Sequence, residues 1–237
     1  MTKASTVIDF HAHILPKLDH GCRSLSECGQ QLEIISAAKT DIAVATPHFY
    51  PHVHRIDDFI KKREEAIANV KNIKTSDFGD VPKLCVGAEV LLCRNLAKMD
   101  GLSELCIKGT NVILLELPMR PLKAGHIEAV EDMLSNGFTV MLAHVDRYLR
   151  ICPNDLDTLQ EMGALMQVNA DALGLFSLHG RLMRYIKEGS VCAVGSDLHG
   201  ANPPDYKKFV KAPSVLKNHY IDIMNSSHAL LENAIMI

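Results

Sequence analysis

Seven short apolar segments punctuate this chain, and six of them finish in a histidine or a carboxylate at the carboxyl end. The segments are residues 7–13, 41–48, 84–90, 111–118, 139–145, 165–170 and 191–199. Each is bounded by polar or turn residues and most are rich in β-branched side chains, the pattern of a parallel strand buried on both faces. Amphipathic stretches of helical period lie between them, at 25–39, 57–73, 124–135, 155–162 and 178–187. Ser24 stands where the first helix needs an N-cap, and Gly137 and Gly189 stand where later helices close. Strands alternating with helices, without a composition break, predict a parallel α/β architecture in one domain spanning residues 1–237. A closed or nearly closed β/α-barrel is the first expectation and an open doubly wound sheet the second. No Gly-rich phosphate loop follows any strand, which counts against the nucleotide-binding form of that second architecture. Residues 74–83 are the loosest stretch, too short to separate domains.

Composition excludes several classes. Hydrophobic residues make up 47% of the chain and charged residues 22%, enough to bury a sizeable core. The net charge is −3 with lysine and arginine scattered, whereas a nucleic-acid partner requires a basic stripe. No stretch approaches the roughly 18 apolar residues of a membrane span, and the amino-terminal residues lack the apolar core of a signal peptide. The seven cysteines form no CxxC pair and several sit in apolar runs, as buried thiols in a reducing compartment do. A cytoplasmic protein is expected.

Histidine is the outlier, with 12 residues clustered around the strand-like segments. The first strand ends in His11 and His13, the second in His48, the third in Glu89 and the fourth in Glu116. The fifth ends in His144 and the seventh in Asp197 and His199. In parallel α/β folds that end of the strands is where active sites are built. A single histidine beside a core is ordinary hydrogen-bonded structure, but desolvating this many polar groups together requires a partner. Metal ions fit that need. His11 and His13 alternate on one strand, so both rings can face one ion, and Asp197 and His199 repeat the spacing. His20, in the loop Asp19-His20-Gly21, can reach over the same site. Nine ligands exceed the needs of one ion, whereas two or three ions sharing bridging carboxylates would use them all. Three divalent ions facing only three carboxylates leave the site positive and suited to an anion such as phosphate. Arg147, three residues past His144, can add a bidentate contact to it.

The run DFHAHILPKLDHG, with TPH, GAEV, LLELP, AHVDRY, QVNA and SDLHG in that order, resembles the PHP (polymerase and histidinol phosphatase) superfamily, over about residues 7 to 235. Within it the chain is most similar to the bacterial capsule- and exopolysaccharide-associated tyrosine phosphatases. The resemblance implies a distorted (β/α)7 barrel with a trinuclear site, manganese first, with iron or zinc as alternatives. Carried over by position, it gives one ion His11, His13, Glu89 and Asp197. A second takes Glu89, Glu116 and His144, and a third His20, His48 and His199. It implies that Arg147 holds the substrate phosphate, with Asp197 and His199 at the reacting centre. It also implies a phosphotyrosine protein as partner, the tail of a bacterial capsule tyrosine kinase. One departure stands out: such relatives often carry an arginine before a Pro-Pro pair after SDLHG, and here that position is Asn202.

The expected function is hydrolysis of a phosphomonoester, with protein phosphotyrosine as leading substrate. Histidinol phosphate or a sugar phosphate is the alternative substrate class, and a non-catalytic regulatory module is a third reading that the filled ligand positions oppose. Asn169 is expected to support the site by hydrogen bonding. His52 and His54 are expected in a solvated loop; the less favoured reading has that loop line the substrate entrance with Phe49 and Tyr50. His126, His179, His219 and His228 are expected to be structural.

Overall fold

The computed structural model describes residues 6–73, 81–174 and 180–237, apart from the side chains of residues 203–205. Ten strands, all paired in parallel, form two sheets among the described residues. One has the order β10-β1-β2-β4 and the other β3-β5-β6-β7-β8-β9. The strands are β1 (Ile8–His13), β2 (Ile42–Ala45), β3 (His48–Phe49), β4 (Lys83–Val86), β5 (Glu89–Leu91), β6 (Val112–Glu116), β7 (Thr139–Leu142), β8 (Leu165–Asn169), β9 (Val191–Gly195) and β10 (Leu198–His199). The helices are α1 (Leu25–Ala37), α2 (Ile56–Lys71), α3 (Ala124–Ser135), α4 (Pro153–Glu161), α5 (Gly180–Lys187), α6 (Pro203–Leu216) and α7 (Asn218–Leu230).

Three of the expected strands are each cut in two. Residues 41–48 become β2 and β3, broken at Thr46-Pro47, where proline has no N–H for a ladder. Residues 84–90 become β4 and β5, broken at Gly87-Ala88, and residues 191–199 become β9 and β10, broken at Ser196-Asp197. At every break the chain passes from one sheet to the other. The ladders are therefore two sheets stitched by three segments, and no single closed ring of strands is formed among the described residues.

Local sequence accounts for the helices. The Ser24 hydroxyl caps α1, accepting the backbone N–H of Glu27 at 3.1 Å. Asp57 and Asp58 open α2 and Lys71 closes it, complementing the helix dipole at both ends. Gly137 and Gly189 follow α3 and α5 with φ of 85° and 76°, in the left-handed region. Of the expected segment 178–187, residues 178 and 179 lie outside the described residues, His179 among them, and α5 runs from Gly180.

Two helices were not expected. α6 starts with prolines at its first positions, where the missing N–H costs nothing, and Pro213 lies inside it. α7 packs on β9 and β1, with Ser227 Oγ donating to Cys192 O at 2.8 Å. All seven cysteines are free, and all but Cys93 are buried. No helix among the described residues is long and apolar enough to cross a membrane.

Candidate metal centre

β1 alternates Asp9, His11 and His13 with Ile8, Phe10 and Ala12, and every one of these residues is buried. One set therefore enters the apolar layers and the other faces the remaining strand ends. Parallel pairing sets His13 beside His199, and His48 beside Glu89. Three sets of ligand atoms, within each of which the atoms lie no more than 4.8 Å apart, result: His13, His48 and His199; His11, His13 and Glu89; and His48, Glu89 and Glu116.

Glu89 is the hub. Its Oε2 lies 3.2 Å from His11 Nε2, 3.3 Å from His13 Nε2 and 2.9 Å from His48 Nδ1, while Oε1 lies 2.6 Å from His144 Nε2. Asp197 Oδ1 is 3.4 Å from His13 Nε2, 3.4 Å from His199 Nδ1 and 3.7 Å from His11 Nε2. His20 stands exposed at the mouth, stacked on His48 at 5.0 Å and His199 at 4.7 Å between ring centres. The nine strand-end and loop residues thus share one neighbourhood, with His20 on its outer edge.

Tautomers decide whether these residues suit a metal. Gln167 Oε1 accepts the backbone N–H of His144 at 2.6 Å, which fixes it as the oxygen, and it lies 3.1 Å from His11 Nδ1. His13 Nδ1 faces the Asp19 carboxylate at 2.7 Å. Both Nδ1 atoms therefore carry a proton in the neutral ring, leaving lone pairs on both Nε2 atoms. Those two nitrogens lie only 3.1 Å apart, so neutral rings would set lone pair against lone pair. A cation between them resolves the conflict. His48 Nδ1, Glu89 Oε2, His144 Nδ1 and His199 Nε2 are buried without a hydrogen bond of good geometry, which agrees with that fit. A carboxylate or carbonyl oxygen behind each ligating histidine is the usual support of a metal site.

The electrostatics agree. Burial alone would lower the pKa of His11, but Glu89 and Asp197 more than reverse it. Burial lowers His13 too, and hydrogen bonds that its ring donates to Asp19, Asp197 and Glu89 raise it well above its ordinary value. Burial would raise Glu89, yet His11, His13 and His144 hold it well below the usual range. Burial and nearby Glu89 raise Glu116, while burial and His13 push His199 down to about 4. Positive charge is thus favoured at His11 and His13, between the carboxylates, and disfavoured at His144 and His199.

Backbone geometry shows the same concentration of purpose. His144 and Asp197 adopt φ of 33° and 53°, sparsely populated for residues with a Cβ. Gly195 makes room for a ring: a Cβ there would stand 2.5 Å from His11 Cβ.

Arg147 is 42% exposed at the mouth and donates to Asp197 Oδ2, which also accepts Asn169 Nδ2 at 2.9 Å. Asn169 is held in turn by Gln167 Nε2 at 3.0 Å and by Asp146, which accepts its backbone N–H at 2.9 Å. Asn169 thus plays a supporting role in the hydrogen-bond network. Sequence reasoning missed Asp19, Gln167 and Asp146 as supporting groups, although all three lie inside motifs already singled out. Phe49 does not line the entrance: it is fully buried, edge-on to Phe59 at 5.2 Å, because β3 turns it inward. Tyr50 instead stacks on His48 at 5.2 Å, and His54 Nδ1 accepts its backbone N–H.

The sequence profile for capsular polysaccharide synthesis, CpsB/CapC, matches residues 7–234. The chain is 27% identical over 224 residues to CapC of Staphylococcus aureus, covering 91% of this chain and 83% of that protein. It is 26% identical over 247 residues to the tyrosine-protein phosphatase CpsB of Streptococcus agalactiae serotype V, covering 91% of this chain and all of that one. The fold matches a chain from the crystal structures of YwqE from Bacillus subtilis and CpsB from Streptococcus pneumoniae, metal-dependent tyrosine phosphatases. That match has a TM-score of 0.75 and 21% identity, over 98% of this chain and 96% of that one. With the profile match spanning nearly its whole length, the chain belongs to the CpsB/CapC family of capsular polysaccharide synthesis.

Proposed function

We propose that the protein is a metal-dependent phosphomonoester hydrolase acting on phosphotyrosyl proteins. Its ligands would be His11, His13, His20, His48, Glu89, Glu116, His144, Asp197 and His199, holding two or three divalent ions. The observation that carries this reading is the pair of lone-pair nitrogens of His11 and His13, 3.1 Å apart beside one Glu89 oxygen. A mixed imidazole and carboxylate set suits manganese, iron or zinc. Ions bound there would bring a water toward neutral pKa and take up charge on a phosphate. The two sheets joined by three crossing segments support a distorted (β/α)7 barrel as the scaffold.

The chain's own groups have separable roles. Arg147 would exchange its partner Asp197 for the phosphate, whose two oxygens its planar fork can grip. Asn169 keeps Asp197 in place through that exchange, since its hydrogen bond is independent of Arg147. A phenolate leaves with little protonation, because the pKa of tyrosine is about 10; an alkyl ester would need a proton donor. The names of the relatives support a phosphotyrosine protein as partner, for which the tail of a capsule tyrosine kinase is the candidate that the resemblance implies, and the seven free cysteines support the cytoplasm.

Metal analysis with a substrate panel tests this reading. A phosphotyrosyl peptide should be hydrolysed in preference to histidinol phosphate and simple sugar phosphates at matched metal loading. Asn202, where the resemblance calls for an arginine, gives the small-molecule alternative its foothold. A strong preference for an alkyl phosphate would overturn the tyrosine reading and leave metal-dependent hydrolysis standing.

A further inference from the structure

Outside the cluster, three cations gather at the same end of the sheets. Arg94 follows β5, and Arg120 and Lys123 follow β6, so all three sit on loops leaving the carboxyl ends of strands. The backbone N–H of Leu92 donates to Glu116 O at 2.9 Å, tying the loop that bears Arg94 to a proposed ligand. With Cys93, Asn95 and His126 these residues line a cavity of about 520 Å³. Arg94, Arg120 and Lys123 are exposed, and among the described residues none has a carboxylate within ion-pair distance. The stem of Arg94 lies along the first turn of α3, where a Cβ on Gly125 would stand 3.1 Å from its Cγ. That turn contains no acidic residue of its own, and the neighbouring carboxylate, Asp155, is engaged one step earlier by the backbone N–H of Leu122 at 2.8 Å.

His126 supplies a second, independent observation. It is only 5% exposed, yet it lines the cavity. Its Nδ1 accepts the backbone N–H of Lys123 at 3.0 Å, so the neutral ring must carry its proton on Nε2. That donor has no hydrogen-bond partner among the described residues. Burial, with Arg120, Arg94 and Lys123 nearby, keeps the ring's pKa below its ordinary value, so it stays a neutral donor. Three unpaired cations and one unused donor around a cavity lack only an anion.

We propose that this cavity is a second oxyanion site at the mouth, taking a carboxylate or phosphate of the substrate chain beside the phosphotyrosine under attack. It rests on the phosphotyrosyl reading for the identity of that chain. Met119, 63% exposed between Glu116 and Arg120, offers the same chain an apolar contact.

The test compares substrates in the metal-loaded protein and in the double variant Arg94→Met, Arg120→Gln, which keeps the Arg94 stem. For phosphotyrosyl peptides flanked by glutamates or by a second phosphotyrosine, KM should rise about tenfold with kcat unchanged, as loss of charge-assisted contacts predicts. Constants for p-nitrophenyl phosphate, and for a phosphotyrosyl peptide with neutral flanks, should not move. Whichever acidic peptide loses more identifies carboxylate or phosphate as the preferred group. Equal losses on acidic and neutral peptides, or none on either, would overturn the site. Fluorescence anisotropy of a labelled, glutamate-flanked tyrosine peptide without phosphate reads binding apart from turnover. It should weaken in the variant and with added salt, and failure of the wild type to bind it would also overturn the site. Binding that depends on Arg94 and Arg120, in a protein that hydrolyses no phosphotyrosyl peptide, would sink the phosphatase reading and leave the oxyanion site intact.

Discussion

Nδ1 of His13 lies 2.7 Å from Oδ2 of Asp19, and the same oxygen accepts the backbone N–H of His48 at 2.9 Å. One carboxylate therefore aims a ring on β1 and fixes the start of β3, joining two ligands from different sheets. Burial would raise the pKa of Asp19, but His13 and the N–H groups of His48 and Gly21 hold it far below the usual range, so it stays an acceptor at working pH. Asp19→Asn should weaken metal affinity by about 10- to 100-fold, the usual cost of losing such a support. Titrating activity against metal concentration checks this; an unchanged midpoint would remove Asp19 from the metal's support.

The shared neighbourhood of nine ligands sets an expected stoichiometry. Protein stripped and reloaded with manganese should retain at least two equivalents by elemental analysis. His11→Ala and Asp197→Ala should each abolish turnover of p-nitrophenyl phosphate while keeping the far-UV circular dichroism of the wild type. Both side chains lie at the strand ends, not in the packed layers, so the fold should survive their loss. Saturation at one equivalent would reject the multinuclear centre.

Arg147 pairs with Asp197 at the mouth, and its proposed partner in turnover is phosphate. Arg147→Ala should lower kcat/KM for aryl phosphates roughly ten- to a hundredfold, the equivalent of about 1.5 to 3 kcal/mol for a charge-assisted contact. Metal content should be unchanged, and Arg147→Lys should recover only part of the loss. A fall in metal content in the alanine variant would instead assign Arg147 to the support of Asp197.

Gly195 and Gly180 form a matched pair. A methyl at Gly195 would meet His11 Cβ at 2.5 Å and Gln167 Nε2 at 2.7 Å, whereas nothing among the described residues lies within 4 Å of one at Gly180. Gly195→Ala should cost about 1 to 3 kcal/mol from overpacking and disturb metal binding. Gly180→Ala, in a helix, should be neutral or stabilising by about 1 kcal/mol. Thermal melts and metal titrations of both variants distinguish local room for the ring from a general intolerance of substitution.

Asp157 gives a pH dependence remote from the metal centre. It accepts from Arg181, Arg184 and Tyr185, bringing α4 and α5 together. Burial would raise its pKa, but Tyr185, Arg184 and Arg181 bring it below the ordinary value. A lowered folded-state pKa means that the contribution is complete above the unfolded value of about 3.9 and is lost as pH falls through the folded one. The urea midpoint of Asp157→Asn should therefore lie below that of wild type at pH 7, with the gap closing below about pH 4. A gap independent of pH would show that the charge on Asp157 adds nothing.

The sequence carries the site more plainly than its surroundings. His11 and His13 are readable because alternation on a buried strand leaves both facing one way, and Glu89, Glu116 and His144 because each ends an apolar run. Asp19 and Gln167 were overlooked because their role is to orient other side chains, and no periodicity marks such a residue. α6 opens on Pro203 and Pro204 and holds Pro213, and proline is a helix breaker everywhere but at helix-start positions, so its sequence does not announce a helix. The strand breaks were missed for the opposite reason: Thr46-Pro47 and Gly87-Ala88 sit inside apolar runs that read as single strands. Phe49 followed from its place in the HFY run, but the two residues of β3 turn it into the core.

Three segments change sheets at those breaks, two of them passing one way and the third returning. Peeling either sheet away would pull on Thr46-Pro47, Gly87-Ala88 and Ser196-Asp197 together, so the two sheets should come undone as one unit. The lips of the pocket and the floor beneath them should give way in one event, with no surviving fragment left holding part of the pocket.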